Sequence, residues 1–288
     1  MLRPTTRLWF DTLMPLAVMM VLTNGRPDLL RTLLFIVGMN LIHIAGTIVN
    51  DLQDAETDRR SSELLRATRP IANQVIPRDL ALAEAALATG IAIVLALLIS
   101  WQLAVLATIL CVMILFHELP PVRTQGRPIL SQLAGIFGLG GILLAMFMAS
   151  GTTSIAFSMP FLVFVALYMG LAEMLVKDIR DIDNDAAAGK RTTAVKFGAG
   201  KATRMAMLAY MITGIAWWWF VSTYPGLNPV PISIATVILL CWIISTAIAA
   251  KKLDRSFSKS VGRFLHRGSV VVFSLLNLSV IVALLDAA

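Results

Sequence analysis

The stretch LLRTLLFIVGMNLIHIAGTIVNDLQDAETD, residues 29–58, decides the fold. A bilayer-spanning helix needs roughly 20 predominantly apolar residues. Positions 29–49 supply them, with Arg31 near the start as the only fixed charge. Beyond position 49 the chain turns acidic, yet neither Pro nor Gly occurs between Asn50 and Asp58. Nothing there stops a helix. The reading is a membrane span that emerges from the apolar layer and carries Asp51, Asp54, Glu56 and Asp58 on its protruding end.

The apolar pattern recurs along the chain. Of 288 residues, 58% are hydrophobic and 14% are charged, against about 25% charged in soluble domains. That balance excludes a soluble globular fold. Apolar stretches fall at 8–23, 29–49, 80–100, 101–116, 129–149, 155–176, 205–222, 230–250 and 269–285. An all-α integral membrane protein of about nine transmembrane helices is expected. The third and fourth spans are separable by a tight turn near Ser100, and the first is short and carries Asp11. The longest hydrophilic stretch, 50–79, is too short for a separate soluble domain, so residues 1–288 read as one membrane domain. Cys111 and Cys241 lie inside apolar stretches, which argues against a disulfide framework or a Cys-based zinc site. The first apolar segment lacks a following small-residue cleavage site and reads as a retained span.

Basic residues in short loops stay on the cytoplasmic side of a membrane. The N-terminal tail holds Arg3 and Arg7, and the loops after spans two, four, six and eight hold five, two, seven and six Lys or Arg. The loops on the opposite face hold only Arg26 and Arg31. The N-terminus and both acidic segments are therefore expected on the cytoplasmic side. The net charge of +7 is explained by this placement beside anionic headgroups and does not indicate nucleic acid.

At about 100° per residue, Asn50, Asp54, Asp58 and Asp51 project from the helix at about 0°, 40°, 80° and 100°. Glu56, near 240° by the same arithmetic, points away. Like charges sharing one helix face repel, so a cation is expected there. A second segment, Asp178-Ile179-Arg180-Asp181-Ile182-Asp183-Asn184-Asp185, follows the sixth span. Asp178, Asp181 and Asp185 lie within about 60° of each other, and Asp183 points away. Four spans separate the segments, an even number, so both end on the same membrane face. Oxygen-only donor sets without His or Cys suit a hard cation, and Mg²⁺ commonly shares its coordination with substrate phosphates. The order of residues is not that of a calcium-binding loop.

Diphosphate also calls for cationic donors. Arg69 precedes Pro70, Lys177 abuts Asp178, and Arg123 and Arg127 stand in the loop between the motifs. Each also fits a role as a positive-inside marker. Glu173 and Lys177, four apart, can pair along a helix. His43 projects near 20° on the face of Asn50, where it could contact an acceptor or a cation, or be an ordinary hydrogen-bonded histidine. His117 and His266 sit at span ends and read as surface residues.

These residues, in this order, resemble the UbiA superfamily of intramembrane prenyltransferases. Arg3-Pro4 with Pro15 resembles its opening, and Asn50-Asp51-x-x-Asp54-x-x-x-Asp58 its first motif. Arg69-Pro70-Ile71-Ala72 resembles an Arg-Pro-Leu-Ala element, Asp178-x-x-Asp181-x-x-x-Asp185 the second motif, and Gly189 to Gly198 the stretch that trails it. Pro120-Pro121-Val122-Arg123-Thr124-Gln125 resembles a Pro-Pro-Leu-Arg-Leu-Lys element, with Gln125 in place of its Lys.

The resemblance implies nine helices bundled around a central cavity and two motifs that bind Mg²⁺ and a prenyl diphosphate. Asp51, Asp54, Asp58, Asp178, Asp181 and Asp185 would carry catalysis, and Asn50, Asp54, Asp58, Asp178, Asp181 and Asp185 would ligate metal. Arg69, Arg123 and Lys177 would hold diphosphate. The prenyl group would pass to an aromatic or other lipophilic acceptor in the bilayer. His43 and Tyr168 are candidates for the acceptor or cation pocket. Phe116 and Trp217–Trp219 are aromatic candidates too, the Trp run reading better as an interfacial belt.

Two other functions use similar parts. A UbiA-type terpene cyclase ionises the same diphosphate and lets the cation close on itself. A transporter should instead show midplane charges and paired broken spans, whereas these Asp residues cluster at span ends. Neither the acceptor, the prenyl length nor the oligomeric state is written in the spacing of the motifs.

Overall fold

The computed structural model describes residues 6–59, 69–119, 124–153, 155–187, 189–253 and 259–285. Among these every regular element is helical: α1 (Thr6–Leu22), α2 (Leu29–Arg59), α3 (Arg78–Ile99), α4 (Trp101–Glu118), α5 (Leu130–Ser150), α6 (Met159–Leu167), α7 (Met174–Ala187), α8 (Thr193–Phe197), α9 (Ala199–Thr223), α10 (Pro229–Leu253) and α11 (Lys259–Leu285). A short 3₁₀ turn, Thr124–Gly126, precedes α5. α6 runs into α7 through one π-helical segment, Tyr168–Glu173, so the two form one continuous apolar span, Met159–Ala187. Seven spans are long and apolar enough to cross a bilayer, and the shorter apolar helices at Thr12–Leu22 and Trp101–His117 complete the expected nine. The protein is a multi-pass integral membrane protein.

The helices pack as a closed ring in chain order, α1 against α2, α2 against α3, and so on round to α11, which returns to α1. The C-terminal half of α1 also touches α5 and α6, and its residues from Ala17 to Leu22 are all buried. A helix apolar on every face belongs inside a bundle. The outer surface is apolar as well. Leu87, Leu98, Phe137, Ile215 and Ile248 are each more than 60% exposed, an arrangement that only a lipid environment makes favourable. Where helices meet, the residues are small. The buried positions of α3 are Ala81, Ala85, Ala88, Ala92 and Ala96, and this stripe lets the backbone of α2 approach closely. Gly170 in the π segment lies so near α5 that an added Cβ would stand 2.8 Å from Ile136 Cα.

The sharp turn expected at Ser100 is present. Its backbone is extended, and its hydroxyl accepts from the Leu103 N–H at 3.1 Å, starting α4. The π segment was not expected from the sequence and lies inside the predicted sixth span. The Trp217–Trp219 run also differs from the interfacial reading. Trp218 and Trp219 face outward, but Trp217 is 1% exposed and donates its indole N–H to Thr236 Oγ1 at 2.9 Å.

Candidate active site

The acidic end of α2 is helical through Arg59, as its sequence requires. Glu56 and Asp183 are exposed, consistent with helical phase. Asp51, Asp54, Asp58 and Asp181 are held by basic side chains. Arg69 sits across α2, with Nη1 2.5 Å from Asp51 Oδ1 and Nε 3.3 Å from Asp58 Oδ2. Asp51 and Asp58 are seven residues apart, two helical turns, which is why one guanidinium reaches both. Arg59 Nε donates to Ala72 O at 2.9 Å and draws the Pro70–Ile76 turn onto the helix.

Lys190 joins the two motifs: its Nζ lies 3.0 Å from Asp54 Oδ2, while its backbone N–H donates to Asp185 O at 2.8 Å. Sequence reading placed Lys190 only in the trailing stretch, because a contact over 136 positions leaves no periodic signal. The two acidic segments thus meet at one end of the bundle. Within α7, Arg180 clasps its neighbour Asp181 through both guanidinium edges, Nε lying 2.7 Å from Oδ1.

Asp178 has a more interior position. It is buried, and its Oδ2 accepts from Gln132 Nε2 at 3.0 Å and from the Thr193 backbone N–H at 3.2 Å. Thr193 Oγ1 donates in turn to Gln132 Oε1 at 3.1 Å. One carboxylate therefore ties together α7, the first turn of α5 and the start of α8. Two residues read as surface groups also lie elsewhere. His266 Nδ1 is 2.7 Å from Glu173 Oε1, a partner expected for Lys177. His117 Nδ1 is 2.5 Å from Thr124 Oγ1. Arg123 lies outside the described residues.

A cavity of about 530 Å³ begins beside this acidic end and extends into the bundle. Lys177, His117 and Thr124 line its motif end, His43 lies farther along, and the remaining lining is apolar apart from backbone. On α4 the lining residues Leu103, Ala107, Leu110, Met113 and His117 form one helical stripe. Fourteen residues at 1.5 Å rise make it about 21 Å long. Phe116 is on the wall, but Tyr168 and Trp217 are absent from it. Tyr168 is buried deeper, its hydroxyl donating to Ser269 O at 2.9 Å.

The donor chemistry fits Mg²⁺. Asp51, Asp54, Asp58, Asp178, Asp181 and Asp185 are six carboxylates, and Arg69, Lys177, Arg180 and Lys190 are four nearby cations. The surplus negative charge and the all-oxygen donors suit a divalent hard cation. Among the described residues no three His, Cys, Asp or Glu side chains converge as a cation site. Asp51, Asp54, Asp58 and Asp181 instead face their basic partners, and Asp178 faces Gln132 and Thr193.

Known proteins share both the sequence pattern and the fold. The sequence profile of the UbiA prenyltransferase family matches residues 12–268. Digeranylgeranylglyceryl phosphate synthase of Thermococcus sibiricus is 26% identical over 230 residues, covering 79% of this chain and 76% of the relative. The enzyme of that name from Pyrococcus furiosus is 28% identical over 230 residues, covering 77% and 76%. In fold, a UbiA homolog from Archaeoglobus fulgidus bound to GPP and Mg²⁺ is similar with a TM-score of 0.73 at 17% identity, covering 96% of each chain.

Proposed function

From the premise that the chain belongs to the UbiA prenyltransferase family and is a membrane-embedded prenyltransferase, we propose that it transfers a C20-class prenyl group from its diphosphate to the hydroxyl of a glyceryl phosphate lipid. The observation that carries this reading is the apolar cavity whose lining includes Lys177, the chain neighbour of Asp178. An extended isoprene unit spans about 5 Å, four C–C bonds of about 1.5 Å each. Four units match the α4 stripe. Relatives named for synthesis of digeranylgeranylglyceryl phosphate support the same donor length and a lipid acceptor with a free hydroxyl.

Residues 1–288 act as one unit in this reading, with the N-terminus and both acidic motifs on the cytoplasmic side, as the loop charges favour. Asn50, Asp54, Asp58, Asp178, Asp181 and Asp185 would hold Mg²⁺, which when bound supplies positive charge against the diphosphate and the charge that grows on it as the C1–O bond breaks. Lys177 binds and orients the diphosphate as a point charge at the cavity mouth. Arg69, Lys190 and Arg180 hold Asp51, Asp58, Asp54 and Asp181 beside one another at the motif end despite their repulsion. The walls from Met113 down to Leu103 hold the tail and exclude water, so the allylic carbon meets the acceptor before it meets solvent. His43, which also lines the cavity, contacts the acceptor.

The test is product analysis with purified protein in detergent, Mg²⁺, prenyl diphosphates of ten to twenty carbons, and either geranylgeranylglyceryl phosphate or a hydroxybenzoate. A prenyl ether of the glyceryl phosphate is expected. Prenylated hydroxybenzoate, or a cyclic hydrocarbon formed without acceptor, would overturn the reading.

A further inference from the structure

We infer that His117 accepts the proton released by the acceptor hydroxyl during transfer; this inference rests on the prenyl-transfer reading above. His117 closes the α4 stripe that runs through Leu103, Ala107, Leu110 and Met113. These four positions are apolar and face the region where the tail lies. The fifth is an imidazole, in the same cavity end as Lys177. With the diphosphate beside Lys177 and the tail along the stripe, the reacting C1 atom falls at the level of His117.

Orientation of the ring supports the role. Nδ1 lies 2.5 Å from the Thr124 hydroxyl, which fixes the imidazole plane and leaves Nε2 as the ring atom for a ligand. Thr124 lines the same cavity end, so the pair borders the space the acceptor must enter. His43 also borders the cavity. It stands seven residues before the first motif, about 10 Å along the helix axis and so farther from the level of the diphosphate.

The transfer balances as follows. The C1–O bond to diphosphate breaks, and its electron pair leaves on the diphosphate. A lone pair of the acceptor oxygen forms the new C1–O bond. The acceptor O–H bond then gives its electrons to that oxygen and its proton to His117 Nε2, which later releases the proton to water.

The experiment separates ionisation from transfer. Geranylgeranyl diphosphate labelled with ¹⁸O in the C1–O bridge is incubated with protein and Mg²⁺, and scrambling of the label is followed with and without geranylgeranylglyceryl phosphate. In His117→Phe, scrambling without acceptor should stay within about threefold of wild type, while kcat for transfer should fall about 10²-fold, the low end of what a positioned base contributes. Thr124→Val should lower kcat in the same sense by a smaller factor, and tests the idea if His117→Phe does not fold. Transfer unchanged in both variants, transfer restored by saturating acceptor, or scrambling and transfer falling together would each overturn the role of His117. Wild-type protein that neither scrambles nor transfers would instead sink the prenyl-transfer reading itself.

Discussion

On the C20 reading proposed above, replacing Gly138 with Phe should shift donor preference from C20 toward C10. Gly138 lines the cavity on α5, and an added Cβ there meets no atom within 4 Å. The substitution therefore fills space without disturbing a helix contact, and it removes a glycine, which costs a helix about 1 kcal/mol relative to alanine. Its depth follows from α5. Gln132 marks the motif end through its bond to Asp178, and Gly138 is six residues farther, about 9 Å at 1.5 Å per residue. Two isoprene units of about 5 Å reach that level and four pass it. Lost hydrophobic transfer does not set the magnitude, because a tail excluded from the cavity returns to lipid as apolar as the cavity wall. What remains is overpacking, about 1–3 kcal/mol, or about 5- to 150-fold. The ratio of kcat/KM for the C20 and C10 diphosphates should fall by that factor, with the C10 value nearly unchanged. Equal losses for both donors, or an unchanged ratio, would show that the tail does not run along α5.

Three further outcomes are expected. Asp178→Ala leaves the buried Thr193 N–H without its acceptor, and should cost about 1–3 kcal/mol, read as a lower thermal midpoint in detergent; Asp178→Asn, which keeps an acceptor oxygen, should recover most of it. Arg69→Gln leaves Asp51 and Asp58 without their shared counter-ion, so the midpoint without divalent cation should drop and added Mg²⁺ should raise it more than in wild type, by preferential binding to the folded state. Gly170→Ala brings a Cβ within 2.8 Å of Ile136 Cα and should destabilise by about 1–3 kcal/mol, checked by the same melting curves.

How much of this was legible in the sequence depends on the range of the signal. The nine spans were readable because each is a local apolar run, and Glu56 and Asp183 fell off the motif faces because helical phase is local too. Ser100 was readable as a break because it caps its own following turn. By contrast Lys190 reaches Asp54 over 136 positions, and Gln132 reaches Asp178 over 46; no periodicity encodes such pairs. His117 looked like a span-end surface residue because sequence gives its depth along the helix but not its direction. Trp217 is buried while Trp218 and Trp219 are exposed, as successive residues on a helix point about 100° apart. That alone was enough to separate them.

The π segment carries the largest share of what spacing could not supply. The wider i→i+5 turns at Tyr168–Glu173 shift the phase of everything that follows, so the direction of Asp178 cannot be counted from the apolar face of α6. The shift is held from outside. An added Cβ at Gly135 would lie 3.2 Å from the Gly170 carbonyl, so small residues on both elements set how closely α5 and the π segment can approach. That spacing puts Gln132, one turn before Gly135 on α5, within 3.0 Å of Asp178. Glu173, the last residue of the segment, lies against His266 of α11, with Oε1 2.7 Å from Nδ1. The second motif is therefore aimed by a widened turn braced between two helices. Relaxing either brace should rotate Asp181 and Asp185 relative to Asp54 before it unfolds any helix.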